Sequence, residues 1–446
     1  SSDVCSSDLL AECSKSEEDT FEQHPNQRTM ASTKELIEME ATYAAHNYHP
    51  LPCVIDHSDG VFVWDVEGKK YYDFLSAYSA LNQGHNHPKI INAMCDQARK
   101  CALTSRAFYN SEFPRYAKFV TEYTGFEMML PMNTGAEAVE TAVKLARRWG
   151  YVKKGIPANE ALIVCCSGCF HGRTILACTL SDDPDCYENF GPFVGGVVRV
   201  PHGDSEALRK VLEEHGPKIC GFLVEPIQGE AGIKVPPEGY LKRCQELCKK
   251  HNVLLVCDEI QTGLGRTGKL FASDWDDVKP DVICLGKALS GGAYPISAVL
   301  SSREIMMCIK PGEHGSTYGG NPIAAAVAVA ALEVLRDEKL ADRALVLGEK
   351  LRNALRGVTP YLIDIRGRGL LTAIELSDTC PLTAWEICLL LLDKGLLCKP
   401  THGTIIRLAP PLTMTDAELD ECIKIFVDVL KNIDSFKKEE IPRREY

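Results

Sequence analysis

The chain has 446 residues, 45% of them hydrophobic and 25% charged, a globular composition that excludes a disordered, collagen-like or coiled-coil protein. Its length implies two or three domains around a large core, and its longest apolar runs, such as 389–392 and 253–257, fall far short of the ~20 residues a membrane span needs. A net charge of -12, from 61 acidic and 49 basic residues, excludes the basic stripe of a nucleic-acid binder. Neither nucleic acid nor membrane is therefore expected as a partner, and any bound phosphate has to be held locally, by a loop or a helix end.

Residues 1–29 differ from the rest. They contain the near-repeat SSDVCSSD, carry seven acidic residues against two basic, and show no apolar periodicity. An Arg-rich presequence and an apolar signal segment are both unlike this stretch. It reads as a disordered extension ahead of Met30, and the cytoplasm is the expected compartment, with the mitochondrial matrix as alternative. Residues 30–85 read as an N-terminal arm, with a helix, a short hairpin (62–64 and 71–72) and loops.

From about 127 to 302, short apolar runs alternate with helical patterns. The predicted strands are 128–131, 161–166, 197–201, 220–225, 253–258, 281–286 and 296–300, several apolar throughout, as in strands covered on both faces. Between them, 137–149 places Ala138, Ala142, Leu145, Ala146 and Trp149 on one helical face, and 240–251 is a second helix. The pattern predicts an α/β fold whose large domain, 86–335, holds a mixed, mostly parallel sheet with ligands at the strands' carboxyl ends. After helix 324–335 the texture changes to helix 340–355, strands 363–365 and 369–375, helix 384–394 and strand 405–408. That predicts a smaller C-terminal α+β domain, 336–446.

Two motifs point elsewhere and lack support. Gly263, Gly265 and Gly268 fit GxGxxG after a strand, but no amphipathic helix follows in a first βαβ unit, as dinucleotide binding requires. Cys165, Cys166, Cys169 and His171 suggest a metal or redox site, yet no second CxxC stands at matched spacing. No metal is expected. The 20 cysteines, many inside apolar runs, read as small buried hydrophobes.

The chemistry centres on two strand ends. Asp258 closes the run 253–257, where it reads either as an acid solvated in a loop or as a group at the sheet's carboxyl edge. Lys287 ends the run 282–286 among small residues; desolvated there, its amine becomes nucleophilic. An acid and a lysine so placed suit pyridoxal phosphate: the lysine bonds the aldehyde, and the acid keeps the pyridine nitrogen protonated so that the ring draws off electrons. The phosphate requires its own holder. Thr134 and Glu137 have capping-box spacing, leaving the N–H groups of Gly135 and Ala136 free at a helix start for an anion; a cap without a ligand reads equally well in isolation.

The segments NTGAEAVE, FHGRT, EPIQGEAG, DEIQTGLGRTG, LGKALSGG and GSTYGGNP together resemble the subgroup III pyridoxal-phosphate-dependent aminotransferases. HNYHPLP, SAYSALNQGH, LTSRAFYN and KPTHGTIIRLAPPL resemble the ornithine-specific members, and the likeness runs from about Tyr43 to the C-terminal region. It implies fold type I and a homodimer with sites at the subunit interface. The implied reaction moves the terminal amine of L-ornithine to 2-oxoglutarate, giving glutamate 5-semialdehyde and glutamate; the implied alternative is another ω-aminotransferase, for N-acetylornithine or 4-aminobutyrate.

By the same resemblance, Lys287 bonds the cofactor and later moves the proton, Asp258 pairs with the pyridine nitrogen, and Gln261 lies near the 3-oxygen. Phe170 stacks on the ring, His171 follows it, Gly135 and Ala136 hold the phosphate, and Ser316 and Thr317 reach the phosphate of the neighbouring subunit. Tyr48 and Arg173 take ornithine's far-end amino acid group. Arg407 takes the near carboxylate of glutamate, and Glu230 neutralises Arg407 while ornithine is bound. Tyr78 separates ornithine from shorter ω-amino acids, and Glu225 orients Gln261 or the cofactor's surroundings.

Overall fold

The structure, a computed structural model, describes residues 31–436; the extension expected over 1–29 lies outside the described residues. Among the described residues, fifteen strands are built in chain order. The first three are β1 (Ile55–Asp59), β2 (Phe62–Asp65) and β3 (Lys70–Asp73). Then come β4 (Met128–Met132), β5 (Leu162–Cys166), β6 (Val197–Val200), β7 (Ile219–Val224), β8 (Leu254–Asp258), β9 (Val282–Leu285) and β10 (Ser297–Ser301). The last five are β11 (Leu362–Arg368), β12 (Leu371–Leu376), β13 (Leu396–Leu397), β14 (Lys399–Thr401) and β15 (Ile405–Leu408). Each of the seven runs predicted between 127 and 302 forms a strand, with neither end shifted by more than one residue.

These seven make one sheet in the order β4-β10-β9-β8-β7-β5-β6. Five neighbours, β9 to β6, run parallel, while β10 is antiparallel to both β4 and β9. Every residue of β7, β8 and β9 is buried, which is why the pattern there is continuous rather than alternating. In β8, Leu254 and Val256 face the core under helix Gly135–Trp149, whereas Leu255 and Cys257 face the core under helix Tyr240–Lys250. One strand thus feeds two hydrophobic layers, and its only carboxylate, Asp258, emerges at the end.

The C-terminal sheet has the order β11-β12-β15-β14 and is antiparallel throughout. Helices Leu340–Leu355, Ala384–Asp393 and Asp416–Lys431 share its core. The N-terminal hairpin sheet acquires a fourth strand from far along the chain: β13 pairs with β3 in parallel, Leu396 against Tyr72. Phe74 meets Phe426 edge-on, 5.2 Å between ring centroids. We propose the division 30–85, 86–335 and 336–446 for the chain's three parts; β13 belongs by sequence to the last and by pairing to the first. Among the described residues no helix is long and apolar enough to cross a membrane.

Candidate active site

Parallel strands bring their carboxyl ends to one edge, and four of the predicted groups follow from that alone. Asp258 is the last residue of β8, Lys287 stands two residues beyond β9, Glu225 follows β7, and the Phe170-His171 loop follows β5. The helix Gly135–Trp149 starts at the same edge. Thr134 Oγ1 accepts from the Glu137 N–H at 3.2 Å while the Glu137 carboxylate accepts from the Thr134 N–H at 2.8 Å, so this start is fixed by a reciprocal cap. One cavity is lined by Gly135, Ala136, Phe170, His171, Glu225, Glu230, Asp258, Gln261 and Lys287, together with Gly172, Ile260 and Thr262. Gly172 sits at φ +118° with Ala136 so close that a Cβ would come within 2.9 Å of the Ala136 Cβ; glycine is what lets the loop reach the helix start.

The electrostatics of the cavity are set by buried pairs. His171 Nδ1 and Asp258 Oδ2 are 2.7 Å apart, and Asp258 Oδ1 accepts from the Ile260 N–H at 3.1 Å. Burial opposes a charge on His171, but Cys169 and the Asp258 carboxylate outweigh it and hold its pKa well above the ordinary value. Burial pushes the Lys287 amine down, against the pull of the Glu230, Asp258 and Glu225 carboxylates. Burial likewise pushes Glu225 up to about 7. Its oxygens accept from the Phe170 N–H at 2.9 Å and the Gly229 N–H at 3.1 Å. Glu225, expected to orient Gln261 or the cofactor's surroundings, therefore anchors two loops, while Gln261 donates to Glu230 at 3.1 Å.

Arg407, on β15, enters from the small sheet. Its Nη1 lies 2.7 Å from Glu230 Oε1, and its guanidinium stands 4.9 Å from the centre of the Tyr78 ring. For Glu230, burial raises the pKa, yet Arg407 and the Gln261 hydrogen bond bring it below the ordinary carboxylate value. Tyr78 lies in a run, Ser76 to Ser79, whose four residues all have positive φ, a left-handed turn that side chains ordinarily avoid. Gly229 makes room for Gln261: a Cβ there would stand 1.7 Å from Gln261 Oε1.

Other expected residues stand farther out. Arg173 is exposed, 5.6 Å from the Phe170 ring centre, and Tyr48 is 72% exposed with Lys399 Nζ 5.9 Å from its ring. Ser316 and Thr317 are not among the residues lining the cavity of their own chain; Ser316 Oγ accepts from Asn133 Nδ2 at 2.8 Å, and Thr317 is exposed. The GxGxxG loop wraps a fully buried Arg266, whose guanidinium donates to Asn82 and to the Leu370 and Pro410 carbonyls, so the glycines serve packing. Cys165 and Cys169 each point at the Leu180 carbonyl, 3.4 Å away, and among the described residues no group of three or more His, Cys, Asp or Glu could hold a metal.

Sequence reasoning did not single out Ile260, Thr262 or Gly172, or the hairpin residues Thr401 and His402 that touch the Glu230 backbone. All lie inside motifs that carried the resemblance, but none bears a signal of its own chemistry. The residues present suit pyridoxal phosphate: a helix start for a phosphate, a buried acid for a pyridine nitrogen, and an enclosed amine for an aldehyde. His171 Nε2, buried without a hydrogen-bond partner, leaves the histidine's polar contact with Asp258 to Nδ1.

Comparison with known proteins agrees. The aminotransferase class-III family matches residues 43–430. The mitochondrial ornithine aminotransferase of Oryza sativa subsp. japonica is 56% identical over 407 residues, covering 90% of this chain and 86% of its own. Among solved structures, the ornithine aminotransferase from Toxoplasma gondii superposes with a TM-score of 0.89 at 46% identity, covering 91% of this chain and 95% of that one. The acetylornithine aminotransferase from Elizabethkingia anophelis superposes with a TM-score of 0.83 at 57% identity, covering 89% and 98%. With the sheet, the cavity and these likenesses in hand, the chain belongs to the class-III aminotransferases, pyridoxal-phosphate-dependent enzymes of fold type I.

Proposed function

We propose that this enzyme is an L-ornithine:2-oxoacid δ-aminotransferase that passes ornithine's terminal amine to 2-oxoglutarate. When bound, pyridoxal phosphate supplies the electron sink for the carbon–hydrogen bond that breaks beside the amine. In this reading Lys287 would bond the cofactor and then move the proton through its Nζ; burial lowers its pKa, so more of the amine is unprotonated and free to take a proton near neutral pH. Asp258, oriented by His171, would hold a proton on the pyridine nitrogen. Gly135 and Ala136 would offer their N–H groups to the phosphate, Phe170 would cover the ring, and Gln261 would serve the ring's oxygen.

The observation that carries the substrate choice is the Glu230–Arg407 pair at 2.7 Å beside Lys287. Ornithine presents an ammonium end with no carboxylate near the reacting carbon, so an uncompensated cation there would oppose it. Glutamate and 2-oxoglutarate do bring a carboxylate, which the planar fork of Arg407 can grip with two hydrogen bonds. A cation whose charge is cancelled for one substrate and released for the next serves both. Tyr78, against Arg407, separates ornithine from shorter ω-amino acids through its hydroxyl or its bulk, and Tyr48 and Arg173 receive ornithine's far-end amino acid group.

We place Ser316 and Thr317 at the cavity of a partner in a homodimer. Asn110 Nδ2 donates to the Gly320 carbonyl at 3.3 Å, joining two loops that expose Phe108, Tyr109 and Tyr318; such a face suits a second copy. The acetylornithine aminotransferase likeness at 57% identity favours N-acetylornithine as the second reading. Purified enzyme with pyridoxal phosphate is expected to convert ornithine and 2-oxoglutarate to a semialdehyde, which cyclises and is trapped by an aromatic aminoaldehyde. Turnover of N-acetylornithine or 4-aminobutyrate without ornithine would overturn the proposal. In Glu230→Ala, Arg407 loses its partner, and glutamate should gain on ornithine as amino donor by roughly tenfold or more.

A further inference from the structure

We infer that Thr401, the last residue of β14, and His402, on the turn that leads to β15, are positioning residues that hold Glu230 in place to cancel the charge of Arg407. The inference rests on the two-substrate reading above and names what controls its switch. Glu230 is gripped at two points. Its carboxylate Oε1 faces Arg407 Nη1 at 2.7 Å and accepts from Gln261 Nε2 at 3.1 Å. Its backbone carbonyl accepts from Thr401 Oγ1 at 3.2 Å and from His402 Nε2 at 3.0 Å.

Arg407 and the turn belong to one hairpin. Thr401 is opposite Ile405 and Lys399 opposite Arg407, so the small sheet carries the cation and the carbonyl tie as a single unit. That unit grips a loop of the large sheet more than 160 residues earlier in the chain. With the carbonyl tied, Glu230 can leave Arg407 only by turning its side chain. Untied, the loop keeps its anchor from the Gly229 N–H to Glu225 but loses its hold on the hairpin, and the Glu230 carboxylate covers Arg407 less well in the resting enzyme.

The turn is costly to build. His402 has φ +47° and precedes Gly403 at φ +74°. A left-handed conformation suits glycine and strains a histidine, and such strain persists where the surroundings enforce it, commonly at functional sites. A glycine at 402 would adopt the same backbone with no side chain to strain and no ring to reach Glu230. The imidazole is exposed to a cleft of about 520 Å³ that adjoins the Lys287 cavity through Phe170 and Glu230. What the strained residue delivers there is its bond to the Glu230 carbonyl.

The test separates a tie from a structural part. In holoenzyme carrying His402→Gly or Thr401→Val, glutarate, a dicarboxylate without an amine, should bind about threefold to tenfold tighter by calorimetry, the range one carbonyl hydrogen bond supports. The ratio of the ornithine to the glutamate half-reaction rate, followed by cofactor absorbance, should fall by a similar factor. His402→Gly should keep or raise Tm, because the strain is relieved, whereas removal of a merely structural side chain would lower Tm and both half-reactions alike. His402→Gln, which retains an N–H donor, should restore glutarate affinity and the ratio. Glutarate affinity and half-reaction ratio both unchanged in His402→Gly and Thr401→Val would overturn the inference. Wild-type enzyme inert toward ornithine would overturn the substrate assignment instead, and the glutarate measurement would still judge the tie.

Discussion

The carboxyl edge of the seven-stranded sheet and the β14–β15 hairpin line two adjoining cavities that share Phe170 and Glu230, yet they are built differently. At the edge, Asp258, Glu225 and Lys287 sit at or just past the ends of strands buried on both faces, so their backbones cannot shift without disturbing two core layers. At the hairpin, Glu230 is held across a seam by three polar contacts, from Arg407, Thr401 and the exposed turn residue His402, and on its own side by Gln261. On the proposed reading, fixed chemistry sits where packing locks the chain, and substrate selection where a few hydrogen bonds can change partners. Elements that must move come from the less constrained part of a fold.

The largest effect expected is at the edge. Lys287→Ala should cost about 10⁴-fold or more in turnover, since both the covalent anchor and the proton carrier are lost. Borohydride treatment of wild-type holoenzyme followed by peptide mass spectrometry should find the cofactor on Lys287. A reduced adduct on any other lysine would break the comparison at its base.

A smaller loss is expected one layer back. In His171→Leu, Asp258 keeps the Ile260 N–H but loses the only charged partner in direct contact with it among the described residues, and breaking a buried pair from one side costs on the order of 3 kcal/mol. The variant should melt earlier and release pyridoxal phosphate faster on dialysis. Retention and melting both equal to wild type would show that the edge does not depend on this pair.

What the sequence disclosed divides along the same line. Asp258 and Lys287 are visible because each ends a local apolar run, and the capped start at Thr134 is visible because its partner is three residues away. His171 and Asp258 are 87 residues apart, and Thr401 and Glu230 are 171 apart; no periodicity connects them, so only the resemblance or the fold can. The hairpin 62–72 was legible, but its pairing with β13 was not, because a two-residue strand carries no pattern. The left-handed turn at Ser76–Ser79 runs against every local propensity and is enforced by surroundings, including the Asp73 carboxylate, which accepts from the Leu75 and Ser76 N–H groups at 2.8 Å.

The finest distinction between the two regions is the sign of their pH dependence. Glu259, beside Asp258, is 1% exposed, and burial pushes it up to about 7 despite hydrogen bonds from Thr262 and from the Ala272 and Ser273 N–H groups. A carboxyl whose folded pKa exceeds its unfolded one stabilises fully below about 4.5, and that contribution is lost as pH rises through about 7, by at most about 3 kcal/mol. Glu230 has the opposite sign. Its pKa is lowered in the fold, so its pairing with Arg407 stabilises above the unfolded value and is lost as pH falls through the folded one. Glu259→Gln keeps an uncharged group of the same shape at the edge, so denaturant unfolding of wild type minus variant should fall between pH 4.5 and 7 and then level off. Glu225, also near 7, is common to both proteins and cancels in the difference. Wild-type and variant profiles that run parallel from pH 4.5 to 8 would mean that Glu259 is ionised throughout, held by its three donors like an acid of the seam rather than a neutral group of the core.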